Sequence, residues 1–261
     1  MKYAALASGS KGNCHAFSDG ERTLLVDAGI SLKQIRLRLA ALGWDPASVR
    51  AVALSHEHSD HIAAVPVLLR RTDWTLLATA DTLAAVQAIQ GIEIPPERRV
   101  VLRAGHAADW DGARLLPFTI PHDAADPVAF TFRVEGIKVG VVTDLGYMPH
   151  SVVQHIRNCD LLMIESNHDL EMLRIGPYPW SVKQRVMSRL GHLSNDALAE
   201  FLRSEYDGGA AFVVLAHLSE HNNHPELART AAERALSDRR NLLRNRLMLA
   251  SQTQPLEPLR F

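Results

Sequence analysis

Ser55-His56-Glu57-His58-Ser59-Asp60-His61 places four potential metal ligands within six residues. The run before it, Arg50-Ala51-Val52-Ala53-Leu54, is largely apolar and β-branched at its centre, the pattern of a buried strand. The ligands are therefore expected in the loop that leaves a strand end. His56, His58, Asp60 and His61 offer neutral imidazoles and a carboxylate, with no thiolate among them, which is a donor set for a divalent cation. Side chains two residues apart in an extended chain share a direction, so His56 and His58 can close on one ion. Asp60 and His61 lie where the chain turns toward a helix, and are expected to face a second. Two ions about 3.5 to 4 Å apart make a hydrolytic dinuclear centre. The bland alternative is a solvated loop with chance histidines, and this spacing at a strand end argues against it.

Outward from this stretch, three residues repeat its placement just past an apolar run. His122 follows residues 115–121, Asp144 follows 139–143 and His217 follows 212–216. Each alone reads as an ordinary loop or buried residue, but together with the first cluster they complete two coordination spheres. The expected assignment is His56, His58 and His122 on one ion, Asp60, His61 and His217 on the other, and Asp144 bridging. Each ion then keeps an open position for a shared water, as catalytic sites require. Imidazole and carboxylate suit zinc best, with manganese or iron as alternatives.

The chain has 261 residues, of which 47 % are hydrophobic and 22 % charged, with a formal charge of -1. Those values describe an ordinary globular protein and argue against disorder. A near-zero charge supplies no global basic field, so nucleic-acid binding would need a local patch or the metals. A single domain over 1–261 is expected. Two cysteines, Cys14 and Cys159, are too few for a disulfide framework. The first ten residues lack the apolar core and cleavage pattern of a signal peptide, and no apolar stretch approaches the roughly 20 residues that span a bilayer. A cytoplasmic protein, with no membrane contact and no protein partner indicated, is the expectation.

Apolar periodicity predicts strands at residues 3–7, 23–27, 75–78, 100–102, 114–120, 128–134, 138–143, 161–164 and 211–216. It predicts helices from Ser31 to the Gly43 stop and at 62–71, 81–90, 149–157, 182–190, 195–206 and 225–236, with a short closing element at 241–249. The loop Ser8-Gly9-Ser10-Lys11-Gly12-Asn13-Cys14 lets backbone approach either a phosphate or the next strand. Strand-rich order with helices in both halves implies an α+β arrangement of packed sheets with helices outside.

These residues carry a family resemblance. The S-H-E-H-S-D-H stretch, with His122, Asp144 and His217, resembles the metallo-β-lactamase superfamily over about residues 1–225. More narrowly, Ser8-Gly9-Ser10 with Gly12-Asn13-Cys14, Thr143-Asp144-Leu145-Gly146, Glu165-Ser166-Asn167-His168-Asp169, Gly176-Pro177-Tyr178-Pro179, Gly191-His192-Leu193-Ser194-Asn195 and residues 215–223 are similar to the YycJ (WalJ, VicX) family. The resemblance implies a four-layered αββα sandwich with metals at one rim, and 5′-to-3′ exonuclease action on double-stranded DNA. No room exists between Asp144 and His217 for the inserted domain of the larger nucleases of this superfamily.

On that reading a water bridging two cations is acidified toward neutrality and becomes the nucleophile, and the departing oxygen needs a proton donor. His192 resembles the motif histidine of ribonuclease Z opposite the leaving group and is the expected general acid. A structural role against the metal shell is its alternative. His168 is expected either to orient a ligand or to act in catalysis, and Asp60 counts among the catalytic groups as a ligand. Ser10, Asn13 and Lys183 are the candidate substrate contacts, with Arg185 and Arg189 beside Lys183 as cations on the same helix or on a merely solvated face. The competing functions are a small-nucleotide or cyclic-phosphate phosphodiesterase, a thioester hydrolase like glyoxalase II, and a binding module with a relict site.

Overall fold

The computed structural model describes residues 1–237 and 245–261. The chain enters as β1 (Lys2–Ala7), β2 (Cys14–Ser18) and β3 (Thr23–Val26), three short, buried, antiparallel neighbours. Ser31 Oγ then accepts from the Gln34 amide and caps α1 (Leu32–Ala41), which buries Leu32, Ile35 and Leu39, the predicted apolar stripe. β4 (Val49–Ala53) follows, parallel to β3. The expected helix at 62–71 is two helices, α2 (Ser59–Ile62) and α3 (Val65–Arg71). Pro66 has no amide hydrogen to donate to Ile62, so one continuous helix would lose a bond there. β5 (Thr75–Thr79), α4 (Ala80–Gln90) and β6 (Arg99–Leu102) complete a parallel run beside β4. β7 (Ala108–Trp110) and β8 (Ala113–Thr119) form a hairpin.

The chain continues with β9 (Val128–Val134), β10 (Ile137–Val142), α5 (His150–Ile156), β11 (Leu161–Glu165), α6 (Leu170–Ile175), α7 (Trp180–Val186), α8 (Asn195–Ser204), β12 (Phe212–Ala216), α9 (Pro225–Ser237), β13 (Arg246–Leu249) and β14 (Leu259–Arg260). β9 pairs antiparallel to β10, and β10, β11, β12 and β13 lie side by side in parallel. The helix expected at 182–190 runs from Trp180 to Val186, entered from Pro179, whose extended backbone places it just outside the first turn. The closing element expected at 241–249 begins outside the described residues, and its end is β13.

Contacts divide the chain into two compact units. One is Met1–Pro117 with Ala124–Val128 and Ser251–Phe261, the other Phe118–Asp123 with Ala129–Ala250. Each has a core of its own. In the first, Leu25, Val52, Leu54 and Leu76 meet Ile35, Leu39 and Leu68. In the second, Val142, Leu162, Ile164 and Val213 meet Val152, Leu198 and Ala232. Among the described residues no helix is long and apolar enough to cross a membrane.

Candidate metal centre

In the first unit the ligand loop leaves the C-terminal end of β4 beside the exit of β3. Neighbouring strands lie about 4.8 Å apart, so the parallel pairing of β3 with β4 brings Asp27 next to Ser55. Asp27 sits at φ 60°, a left-handed conformation that turns its carboxylate back across the strand end. Its Oδ1 accepts from the Ser55 amide at 2.8 Å, and its Oδ2 meets His61 Nδ1 at 2.8 Å. Ser55 Oγ lies 2.9 Å from His56 Nδ1. Both imidazoles are thereby oriented through Nδ1, and Nε2 is the nitrogen left to hold an ion, the arrangement seen around metal-bound histidine. The His56 ring centroid lies 4.6 Å from that of His58 and 4.1 Å from that of His61. Asp60 Oδ2 is 3.3 Å from His61 Nε2. His56, His58, Asp60 and His61 thus lie together on one loop of this unit.

Asn13 ties the glycine loop to this group. Its Nδ2 lies 3.1 Å from both Asp60 Oδ2 and His61 Nε2, and its Oδ1 accepts from the Gly9 amide at 2.9 Å. Asn13 is fully buried, whereas Ser10 is exposed. Of the two loop residues expected to touch substrate, one faces solvent and the other supports the ligand loop.

In the second unit, three neighbouring parallel strands deliver their C-terminal ends together. Asp144 lies just past β10, Glu165 ends β11 and His217 follows β12. Asp144 and His217 adopt φ 61° and 54°, so both side chains turn sharply at the strand ends. One ligand atom from each of Asp144, Glu165, His192 and His217 lies within 4.8 Å of the others. Glu165, for which the sequence predicts no role, is the hub. Its Oε1 meets His192 Nδ1 at 2.9 Å and His217 Nδ1 at 2.8 Å, and its Oε2 accepts from the Leu145 and Leu193 amides at 3.0 Å each. Burial opposes its charge, but the facing His192 charge and the hydrogen bonds from both rings hold the Glu165 carboxyl below the usual carboxylate range. Burial likewise opposes an imidazolium at His192, yet Glu165 holds the His192 pKa above its ordinary value. The His192 side chain is 23 % exposed, so one edge of the ring meets solvent. His122 Nδ1 donates to the Gly191 carbonyl at 3.2 Å, and its ring centroid is 5.3 Å from that of His192.

The quoted motif strings of this unit are knitted together by buried amides. Asn167 Nδ2 donates to the His217 carbonyl, Asn195 Nδ2 to Asn223 Oδ1, and Asn223 Nδ2 to the Asn167 carbonyl. His168 is 1 % exposed, its carbonyl accepts from the Asn195 amide, and its Nδ1 has no hydrogen-bond partner among the described residues. Burial pushes its pKa down to about 4, so the ring stays neutral at neutral pH. Lys183 is turned inward, and its Nζ donates to the Arg174 carbonyl at 2.8 Å, where a cation offsets the negative end of α6. Its charge is tied to the fold, and the exposed cations near α7 are Arg185 and Arg189.

The donor set fits divalent metal: imidazoles oriented through Nδ1, carboxylates beside them, and no competing thiolate. Residues 22–218 match the beta-lactamase superfamily domain. The chain is 34 % identical to the exodeoxyribonuclease YycJ of Bacillus anthracis, over 92 % of this chain and 90 % of that one. It is 36 % identical to the exodeoxyribonuclease WalJ of Streptococcus pneumoniae, over 87 % and 85 %. The chain belongs to the YycJ/WalJ family of the beta-lactamase superfamily. A solved structure of zinc-bound PqqB from Methylobacterium extorquens superposes with a TM-score of 0.71 over 98 % of this chain and 99 % of that one, at 19 % identity. The expected α+β metallo-β-lactamase fold is thus the fold of this YycJ/WalJ family member, and its class is that of a hydrolase.

Proposed function

We propose that this family member is a metal-dependent phosphodiesterase acting on DNA, an exonuclease that works 5′ to 3′ on double-stranded substrate. The observation that carries the reading is the second-unit cluster, where a partly exposed imidazole bonds the Glu165 carboxylate, which raises its pKa, beside ligand-type groups. That is a proton donor next to an ion site, the pair a phosphodiester needs. The relatives named exodeoxyribonuclease supply the substrate class. A cytoplasmic setting belongs to the same proposal and accords with two buried, free cysteines.

The ligand assignment proposed is His56, His58 and His122 for one ion, Asp60, His61 and His217 for the other, and Asp144 bridging. Zinc is the first choice for the donor set. Two divalent ions, when bound, would acidify water and neutralise charge on the phosphoryl oxygens. The chain itself does the rest. Asp27 and Ser55 fix the tautomers of His61 and His56. Asn13 steadies Asp60. His192 delivers a proton to the departing oxygen, and Glu165, 2.9 Å from its Nδ1, favours the protonated ring.

The test is turnover of metal-quantified protein on 5′-labelled double-stranded DNA, on bis(p-nitrophenyl) phosphate and on a thioester, with Asp60→Ala as the blank. DNA degradation that vanishes in the variant is expected. Cleavage of the small diester alone would replace this reading with a small-nucleotide phosphodiesterase, and thioester turnover alone with a glyoxalase-like hydrolase.

A further inference from the structure

Eleven large apolar side chains stand exposed among the described residues, and six of them fall in one short stretch: Leu170, Ile175, Trp180, Val182, Met187 and Leu190. Trp180 is the aromatic among these six, 63 % exposed at the first residue of α7, whereas Trp44 and Trp74 are 8 % and 7 % exposed. Exposed apolar side chains gathered in one stretch of sequence point to a contact made there. The same stretch holds four cations, Arg174, Lys183, Arg185 and Arg189, against one carboxylate, Glu171. Glu171 is paired with Arg174, and Lys183 is turned inward. Arg185 is exposed but paired with Asp123, and Arg189 is exposed and stacked over the Tyr147 ring at 4.0 Å.

The strip runs directly into the candidate centre. Arg185 Nε reaches Asp123 Oδ2 at 2.6 Å, next in sequence to His122, and the stretch ends at Gly191, whose carbonyl holds the His122 ring. Trp180 precedes Arg185 by five helical positions, about 8 Å along the axis at about 1.5 Å per residue. An exposed aromatic, in a stretch whose later residues reach the candidate centre through Asp123 and the Gly191 carbonyl, suits the π-face of a base, and the arginines of the same stretch suit phosphates. Two copies of this chain meeting through this stretch would set its cationic surplus, Arg189, against itself, whereas a phosphodiester backbone complements it.

We propose that Trp180, with Arg185 and Arg189, forms a stacking subsite for unpaired nucleotides of a DNA strand adjoining the scissile phosphate. The subsite rests on the nuclease reading above, and it assigns Trp180 to substrate length and strandedness rather than to the chemical step.

The experiment compares the wild-type chain with Trp180→Ala and Trp180→Phe on a 5′-labelled duplex carrying a single-stranded overhang and on bis(p-nitrophenyl) phosphate, with molar mass measured by light scattering. In Trp180→Ala, kcat/KM on the oligonucleotide should fall about tenfold relative to kcat/KM on the small diester, mostly through KM, in line with the loss of one base stack. Trp180→Phe should recover most of it, and all three proteins should have the same mass. Parallel losses on both substrates, or no loss on either, would overturn the subsite while leaving the nuclease reading standing. A change of mass in Trp180→Ala would reassign the strip to a protein interface. Failure of the wild-type chain to bind or cleave any DNA while it turns over the small diester would remove the nuclease reading, and the subsite with it.

Discussion

Glu165 holds two imidazoles with one oxygen and two backbone amides with the other. Its replacement by glutamine keeps the shape and removes the charge. Glu165→Gln is expected to lower metal affinity about 10- to 100-fold, the usual cost of losing a group that orients a ligand, as measured by competition with a chelator. His192→Ala should lower kcat about 100- to 10,000-fold with DNA as substrate. Retained turnover in a metal-replete His192→Ala protein would sink the general-acid role. His168 gives a pH prediction. Its pKa is about 4 in the folded chain against 6.5 in the unfolded one, so between those values the unfolded chain binds the extra proton. Stability therefore rises with pH across that window and is lost on acidification from 6.5 toward 4. His168→Asn should flatten the change in Tm with pH between those limits, and an unaltered slope would show that other groups carry it.

Three backbone segments of the first unit are stitched at one point. The Asn13 amide donates to the Asp60 carbonyl at 2.7 Å, the Gly29 amide to the Asn13 carbonyl at 2.8 Å, and the Ala28 amide to the His61 carbonyl at 2.7 Å. A Cβ at Gly29 would fall 1.6 Å from the Asp60 carbonyl oxygen. No side chain fits there unless the ligand loop moves. Gly29→Ala is thus expected to destabilise the fold by about 3 kcal/mol or more, above the ordinary range for point changes, and to lower bound metal per chain. Thermal unfolding together with metal analysis checks both, and an unchanged Tm would refute the stitching argument. Element reading from sequence was accurate where a stripe or a run was long, as in α1 and in β9. It passed over β2 (Cys14–Ser18), whose five residues are all buried and carry no alternation. It also joined α2 to α3, since apolar spacing continues across the break that Pro66 enforces.

At the scale of the whole molecule, each compact unit buries its own core and carries its own group of ligand-type side chains. Ions that bind the native chain and not the unfolded one add stability by mass action, about 2.7 kcal/mol when free ion exceeds Kd by about 100-fold. Removing metal with a chelator is expected to lower Tm and abolish DNA turnover. Restoring zinc or manganese should recover both. Activity that survives exhaustive chelation would exclude the proposed metal chemistry.

The local spacing of His56, His58, Asp60 and His61 was enough, without a structure, to mark a candidate ion site, because extended chain geometry places alternate side chains together over a few residues. His122, Asp144 and His217 were legible for a related reason: each follows an apolar run, and ligands collect at the carboxyl ends of parallel strands. Glu165 was not legible. Its part depends on β11 lying between β10 and β12, a lateral order that no periodicity within one strand encodes. Asn13 and Lys183 share that limit, since the first reaches Asp60 across 47 positions and the second turns inward to a carbonyl nine residues away. Residue types and their spacing record the chemistry a chain carries, while partners distant in sequence exist only once strands have paired and helices have packed.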